Sequence, residues 1–367
     1  MTDIPLFTPF SLRGVTFRNR IVMAPMCQYQ ADEGCPNDWH VSHHGRYATS
    51  GLGGAIVEST GVSAEGRISP GCTGLYNDAQ VTAWRRVTDL YRREGIPVFV
   101  QINHAGGKAS TERPWDGGGP LTPGTKEPPW QTVAPSAIPA RDGWHVPRAL
   151  AIEDMTSIVA DFAAAARRAI DAGFDGVEIH GAHGYLLHSF MSPYSNRRTD
   201  AYGRDLAGRM RLPVEVARAV RDAVPEDMPV LYRASCVDGE GGGLTLDDTV
   251  ALAAELKSAG VDLLDASGGG IPAGMRMAAE KPEPGFQVPF ADRIRRETGL
   301  PTMAVGMITE PETANAIVAE GKADLVSLAR GLLRDPAWPY RAAIALGHPE
   351  PASILPKLYA FYLKLAA

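Results

Sequence analysis

The chain has 367 residues, of which 44% are hydrophobic and 21% are charged, with a formal net charge of −6 and four cysteines. This composition excludes a disordered or fibrous chain and a disulfide framework, and the absence of a basic block interleaved with aromatic residues argues against nucleic acid or an anionic membrane as a partner. Neither a signal peptide nor an apolar stretch of the ~20 residues needed to cross a bilayer is present, so we expect a cytoplasmic protein.

Eight short apolar runs recur along the chain and are rich in residues that favour strands. Because each run is continuous rather than alternating, it predicts a strand that is covered on both faces, as in a parallel sheet. The predicted strands are Ile21–Met26, Ala55–Ser59, Val98–Ile102, Val177–His180, Val230–Arg233, Leu263–Ala266, Thr302–Val305 and Leu325–Leu328. The stretch before the first of them, residues 7–19, predicts a small N-terminal hairpin.

The segments between the runs have a helical period. After Asp154, apolar side chains recur every three or four residues and form one face of a helix. That face holds Ile158, Phe162, Ala165 and Ala169. Thr245 and Thr309 stand where two further helices would have their N-caps. Eight strand–helix units predict a single closed (β/α)8 TIM barrel over residues 1–367, whose bottom the N-terminal hairpin would close; an open doubly wound sheet is the alternative.

The connection after the third strand is much longer than the others. Residues 103–153 separate this strand from its helix and contain many glycines and prolines. A connection of this length is typical of a lid or of a disordered segment. Trp115, Trp130 and Trp144 argue against disorder, because large aromatic side chains need a surface to pack on. We expect a partly ordered flap over the carboxyl ends of the strands, within the same domain.

Two histidines follow the fourth strand, and in a barrel the functional groups lie at the carboxyl ends of the strands. His180 and His183 are three residues apart and would project to one side of a helical turn, with Tyr185 beside them. They can form a two-donor clamp for an anionic or carbonyl oxygen, serve as two metal ligands, or simply cap an element and fill the core. Zinc would need a third ligand from His188, His104 or a cysteine, and nothing in the spacing demands one.

Other strand ends carry a cysteine and several glycines. Cys27 lies beside Tyr29 and is a candidate nucleophile, a candidate redox tuner or an inert buried thiol. Residues 268–270 and Gly306 follow the sixth and seventh strands, where glycine lets backbone amides approach a phosphate. With Arg330 after the eighth strand they form the phosphate-site pattern common in barrels. A Rossmann fingerprint and a Walker-type loop are both missing from the sequence.

The C-terminal residues 358–363, Leu-Tyr-Ala-Phe-Tyr-Leu, are too apolar to be left in water. Two interpretations are open. The segment packs on its own barrel, or it forms an aromatic wall over a ligand, in the same subunit or in a neighbouring one.

Together, five motifs resemble the Old Yellow Enzyme family of FMN-dependent ene-reductases, and in particular its cysteine-containing branch. The motifs are residues 20–27 (RIVMAPMC), 104–108 (HAGGK), 180–186 (HGAHGYL), 195–200 (SNRRTD) and 330–336 (RGLLRDP). No single motif is sufficient, but the set covers nearly the whole chain in order. The resemblance implies a (β/α)8 barrel that holds FMN noncovalently at the carboxyl ends of its strands. NADPH or NADH would reduce the flavin and an activated alkene would reoxidise it.

The resemblance also implies a role for each candidate residue. The flavin ring would be lined and bonded by Ala24, Pro25, Met26, Cys27, Ser59, Gln101 and Arg233, and its phosphate would be held by Gly269, Gly306, Ala329 and Arg330. His180 and His183 would bind the carbonyl or nitro oxygen of the substrate. Tyr185 would be the proton donor, and Tyr29 would contact the substrate. Cys27 would tune the redox potential of the ring.

Enones, enals or nitroalkenes are the substrates that the resemblance implies, together with a homodimer or homotetramer and no metal. Val305 and Tyr362 stand where a relative in the same branch carries tryptophan, so both would reshape the substrate pocket, and Tyr362 would bind the substrate. Two other functions remain open at this point. One is a metal-dependent barrel lyase or hydrolase that uses His180 and His183 as ligands, and the other is a flavin-binding protein without turnover.

Overall fold

Parallel strands close into a barrel in the computed structural model, which describes residues 4–239, 242–271 and 283–365. Each strand pairs with the next along the chain, and the last pairs with the first. The strands are β1 (Ile21–Met23), β2 (Gly54–Gly61), β3 (Val98–Asn103), β4 (Gly176–Gly181), β5 (Val230–Ser235), β6 (Leu263–Ser267), β7 (Thr302–Ala304) and β8 (Leu325–Leu328). The predicted (β/α)8 TIM barrel is confirmed, and the open sheet is excluded.

Helices follow the strands and cover the outside of the barrel. They are α1 (Asp38–Ala48), α2 (Asp78–Glu94), α3 (Ile152–Asp171), α4 (Leu186–Met191), α5 (Leu206–Ala223), α6 (Leu246–Ser258), α7 (Val288–Thr298), α8 (Pro311–Ala319), α9 (Arg330–Arg334), α10 (Trp338–Ala345) and α11 (Lys357–Leu365). Short 3-10 turns occur at Pro5–Phe7, Gly106–Lys108, Pro114–Asp116 and Pro351–Ile354. Within the described ranges, the helices are all too short or too polar to cross a membrane.

Some element boundaries differ from the sequence predictions. Strand β1 ends at Met23 rather than Met26, because the proline at position 25 has no N–H group with which to continue the ladder. The N-cap of α8 is Glu310, so the prediction of Thr309 was wrong by one residue. The prediction of Thr245 is confirmed, since its hydroxyl accepts a hydrogen bond from the third residue of α6. The predicted apolar face of α3 is buried as well.

The N-terminal hairpin closes the bottom of the barrel. Its strands, Phe10–Leu12 and Val15–Phe17, pair antiparallel. The ring of Phe17 stacks on Phe99 inside the barrel, with centroids 5.6 Å apart and planes 12° apart. Two strand-opening glycines leave room for these rings, because a Cβ at Gly54 would lie 2.5 Å from Phe17 and one at Gly176 would lie 2.0 Å from Phe99.

The long connection between β3 and α3 contacts loops at the carboxyl ends of the strands. It contains one small parallel ladder between residues 133–134 and 148–149. Arg113 Nε donates a hydrogen bond of 3.1 Å to the carbonyl of Tyr29, and Trp130 Nε1 donates one of 3.0 Å to the carbonyl of Glu65. Trp115 is 60% exposed and meets the ring of Tyr29 edge-on, with centroids 5.9 Å apart.

The C-terminal helix α11 does not bury its aromatic side chains. It contacts the turn Pro351–Ile354, while Phe361 and Tyr362 remain 60% and 63% exposed. Of the two interpretations open from the sequence, packing of these side chains on their own barrel is wrong.

Removal of the Phe17 ring tests the hairpin as a structural plug. We expect Phe17→Ala to lower the free energy of unfolding by about 3–5 kcal/mol, because the change leaves a cavity at the barrel floor. Denaturant unfolding against the wild-type protein measures this loss. Phe10→Ala is the matched control, since Phe10 is only half-buried, and it should cost clearly less. Equal losses from the two variants would contradict the account.

Candidate active site

Three of the predicted residues meet at the end of β4. The ring centroid of His180 lies 5.1 Å from that of His183 and 5.0 Å from that of Tyr185. The chain turns sharply between them, with left-handed backbone at His183 (φ 59°) and Gly184 (φ 78°). A Cβ at Gly184 would lie 2.4 Å from the carbonyl oxygen of Gly270, so only glycine fits where this turn meets the loop after β6.

His183 is fixed by contacts from the last residues of β5 and β6 and from the loop after β3. Its Nε2 lies 2.8 Å from the hydroxyl of Ser267, and its backbone N–H donates to Ser235 Oγ at 2.9 Å. The Ser235 hydroxyl in turn donates to the carbonyl of Gly269 at 2.7 Å. Lys108 Nζ donates to the carbonyl of His183 at 2.7 Å. The imidazole is therefore held in one place before any ligand binds.

Burial sets the protonation states of this cluster. It lowers the pKa of His180 and of His183 well below the usual value, and the nearby Arg233 lowers both further. Burial also raises the pKa of Tyr185, and the pKa of Lys108 falls to about 8 for the same reason. At neutral pH the two imidazoles are uncharged and the phenol keeps its proton.

Cys27 and Tyr29 come to the same place from the end of β1. Together with Tyr185 and Trp130, they pack against a small apolar cluster. That cluster consists of Ile68, Cys72, Ala105 and Ala109. Burial raises the pKa of the Cys27 thiol, and Cys72 and Glu58 raise it further. A thiol that stays protonated is a poor nucleophile.

A layer of buried ionisable side chains lies inside the barrel near this cluster. Gln101 Nε2 donates to Glu178 Oε1 at 2.8 Å, and Arg233 Nε lies 3.3 Å from Asp265 Oδ2 without the angle of a hydrogen bond. Burial raises the pKa of Glu178 to about 8; Asp265 raises it, whereas Arg233 and Gln101 lower it. Glu178 and Asp265 were not among the residues predicted from the sequence. The sequence signal that could have identified them is an acidic residue in the middle of an apolar strand, because a buried carboxyl needs a buried partner.

The predicted phosphate residues lie after β6, β7 and β8. Gly269 (φ 80°) and Gly306 (φ 120°) have backbone that side chains rarely adopt. Ala329 precedes the first residue of α9, Arg330. Arg330 is exposed, and its guanidinium has no hydrogen-bond or ion-pair partner among the residues the structure describes.

The remaining ring-lining candidates follow β1 and lie in β2. Ala24 and Ser59 are buried, while Pro25 and Met26 are half-buried. These residues face the same end of the barrel as Arg330, because β1 pairs with both β2 and β8.

Tyr362 is the one site candidate that the single chain does not bring to this place. It lies on α11, next to the turn that contains Ile354. The side chain of Ile354 packs beside Gly51, which precedes β2 at the amino end of the barrel. Tyr362 is therefore attached near the opposite end from the histidines.

The side chains considered as a third metal ligand have other partners. His188 Nδ1 accepts a hydrogen bond from the N–H of Gly184 at 2.9 Å, and His104 Nδ1 accepts one from Gly106 at 3.1 Å. In the part of the chain that the structure covers, no group of three or more His, Cys, Asp or Glu side chains is placed to hold a metal ion.

Comparison with known proteins identifies the family. Residues 5–347 match the NADH:flavin oxidoreductase / NADH oxidase family. The NADPH dehydrogenase of Geobacillus sp. (strain WCH70) is 43% identical over 352 residues, which are 95% of this chain and 96% of that protein.

Solved structures agree with this assignment. Morphinone reductase in complex with tetrahydroNAD is 27% identical with a TM-score of 0.75, and the alignment covers 93% of this chain and 90% of that one. The old yellow enzyme homologue from Zymomonas mobilis is 29% identical with a TM-score of 0.75, covering 92% and 91%. The chain therefore belongs to the NADH:flavin oxidoreductase / NADH oxidase family, and it is an FMN-dependent NAD(P)H oxidoreductase of the Old Yellow Enzyme type.

Proposed function

We propose that the enzyme reduces alkenes activated by a carbonyl or nitro group, namely enones, enals and nitroalkenes. One observation carries the proposal: at the mouth of a barrel, the uncharged ring of His180 lies 5.1 Å from the uncharged ring of His183 and 5.0 Å from the protonated phenol of Tyr185, centroid to centroid. Bound FMN supplies the hydride, which comes from NADPH or NADH and goes to the β-carbon of the alkene. The residues of this chain bind the substrate, stabilise the developing charge and deliver a proton to the α-carbon.

The groups at the barrel mouth fit FMN. Arg330 presents an exposed guanidinium that has no partner among the described residues, and Gly269 and Gly306 let backbone N–H groups approach a phosphate. Arg233 has a buried Nε without an aligned acceptor, which suits the polar edge of the ring. We assign the phosphate to Gly269, Gly306, Ala329 and Arg330, and the ring to Ala24, Pro25, Met26, Cys27, Ser59, Gln101 and Arg233.

His180 and His183 would bind the carbonyl or nitro oxygen. His180 Nδ1 accepts a hydrogen bond from the N–H of Ala182 at 3.3 Å, so the imidazole proton is on Nε2 and free to be donated. Ser267 can donate to Nε2 of His183, which leaves the proton of that ring on Nδ1. Two fixed N–H donors stabilise the negative charge that develops on the oxygen as hydride reaches the β-carbon.

Tyr185 would give its hydroxyl proton to the α-carbon. The raised pKa keeps the phenol protonated until the substrate carbanion forms, which is the state that a general acid requires. Tyr29 packs in the same cluster and would contact the substrate from the β1 side. Cys27, as a protonated thiol beside the ring, would tune its redox potential.

Tyr362 would reach a substrate only from a neighbouring subunit. Its helix starts next to the amino end of its own barrel, and its side chain is 63% exposed. We therefore propose a homodimer or homotetramer in which α11 of one subunit covers the site of another.

Two further assignments belong to the proposal. Residues 103–153 would act as a flap of the single barrel domain, supported by the contacts of Arg113 and Trp130 described above. A cytoplasmic location would suit the four free cysteines.

Anaerobic mixing tests the function directly. We expect NADPH to bleach the flavin absorbance of the purified protein, and 2-cyclohexenone to restore it with formation of cyclohexanone. Cyclohexanone itself is the control and should restore nothing, because it lacks the activated alkene. Bleaching by NADPH without recovery on addition of the enone would contradict the proposal and indicate a flavin protein that does not reduce alkenes.

Replacement of the phenol tests the proton donor. Tyr185→Phe should slow the half-reaction with enone about 10²-fold, since a positioned general acid typically contributes 10²–10⁴-fold. The half-reaction with NADPH needs no such proton and should change little. Stopped-flow absorbance measures both rates. Tyr91→Phe, which removes a buried hydroxyl from α2, is the matched control and should leave both unchanged. If Tyr185→Phe slows the two half-reactions equally, the assignment of Tyr185 as the proton donor is wrong.

A further inference from the structure

A buried imidazole–carboxylate pair lies directly behind the candidate site, and none of the roles above uses it. His188 belongs to α4, and Asp238 follows β5. His188 Nε2 lies 3.0 Å from Asp238 Oδ1, and both side chains are fully buried. Because neither side chain reaches the surface of the site, the pair cannot touch a substrate.

The position of the imidazole proton follows from the contacts. His188 Nδ1 accepts the hydrogen bond from the backbone N–H of Gly184 at 2.9 Å, so Nδ1 carries no hydrogen. The ring proton is therefore on Nε2, which lies 3.0 Å from Asp238 Oδ1 without the angle of a hydrogen bond, so the contact is one of charge and proximity. A carboxylate on the far nitrogen orients a histidine and fixes its tautomer.

Asp238 is itself held by two more donors. Its Oδ2 accepts the hydroxyl of Ser192 at 2.6 Å and the backbone N–H of Leu244 at 2.8 Å. Burial by itself would raise the pKa of Asp238, but the interactions with His188, Ser192 and Leu244 keep it below its usual value. The carboxylate therefore stays ionised and gives His188 a fixed partner.

The amide that this arrangement holds belongs to the turn between two proposed catalytic residues. Gly184 stands between His183 and Tyr185, and the left-handed backbone at positions 183 and 184 is a conformation that has to be supported by its surroundings. Gly184 is buried, so its N–H would be left without a partner if the His188 acceptor were removed. An unpaired buried N–H favours a different conformation of the turn.

We propose that His188 and Asp238 are positioning residues, which connect the loop after β5 to the Gly184 amide and thereby aim His183 and Tyr185 at one substrate. The proposal rests on the proposed function. It assigns the pair no contact with FMN or with the reacting atoms.

Four variants test the pair. His188→Leu fills the space of the imidazole with an apolar side chain and removes the acceptor of the Gly184 N–H. His188→Asn restores an acceptor, because Oδ1 of asparagine occupies about the place of imidazole Nδ1. Asp238→Asn keeps the shape of the partner and removes its charge. His44→Leu is the matched control, since His44 is an equally buried histidine, hydrogen-bonded to Tyr91 and remote from the turn.

The main measurement is the affinity of the FMN-loaded protein for a phenol, which is monitored through the change in flavin absorbance. The FMN content and the thermal unfolding temperature of each variant are measured as well. We expect His188→Leu to weaken phenol binding at least tenfold with full FMN content. Asn at position 188 should restore the affinity to within about threefold of wild type, and Asp238→Asn should weaken it severalfold. His44→Leu should leave phenol affinity unchanged even if it lowers the unfolding temperature.

Two results would overturn the proposal. One is wild-type phenol affinity in His188→Leu. The other is a weakened affinity in His188→Leu that His188→Asn does not restore, because that would indicate that His188 acts through packing alone. If His188→Leu does not fold, wild-type affinity in Asp238→Asn overturns it equally. The double variant His180→Ala/His183→Ala separates this proposal from the proposed function. If that variant binds phenol as wild type does, the assignment of His180 and His183 as the oxygen clamp is wrong. If it binds phenol more weakly while His188→Leu keeps wild-type affinity, only the positioning role of His188 is wrong.

Discussion

Closure of the parallel strands is the constraint on which the candidate site depends. Pairing of β8 with β1 completes the ring, so the carboxyl ends of all the strands face one side. Residues as distant in sequence as Cys27, His180 and Arg330 thereby come to the same end of the molecule. The floor of the barrel is apolar, with Phe17 stacked on Phe99, and the layer above it is charged. This division leaves the polar groups where a flavin and its substrate would need them.

Fixation of the proposed catalytic groups is the second theme of the structure. The turn that carries the imidazole of His183 and the phenol of Tyr185 has contacts to the loop after β3 and to the last residues of β5 and β6, and its central amide is bonded to His188. The loop carrying Cys27 and Tyr29 has a comparable support, because buried Glu58 accepts the N–H of the intervening residue at 2.9 Å. Such preorganised groups need little rearrangement when charge develops on a substrate.

The sequence predicted the barrel well because continuous apolar runs and helical periods are local signals. The predicted grouping of His180, His183 and Tyr185 is also present, since all three lie at or just after the end of one strand. The sequence did not predict the Glu178–Asp265 layer or the His188–Asp238 pair. Those interactions join residues far apart in the chain, and only the closed barrel brings them together. The exposure of α11 could not be predicted from the sequence either, because a short apolar segment does not show which surface it packs against.

The most direct test of the account is a crystal structure of the FMN-loaded enzyme with a bound phenol, such as p-hydroxybenzaldehyde. The account predicts that the phenol oxygen lies within hydrogen-bonding distance of a ring nitrogen of both His180 and His183, with the phenol ring beside the hydroxyl of Tyr185. A phenol bound elsewhere, or one whose oxygen touches neither imidazole, would contradict it.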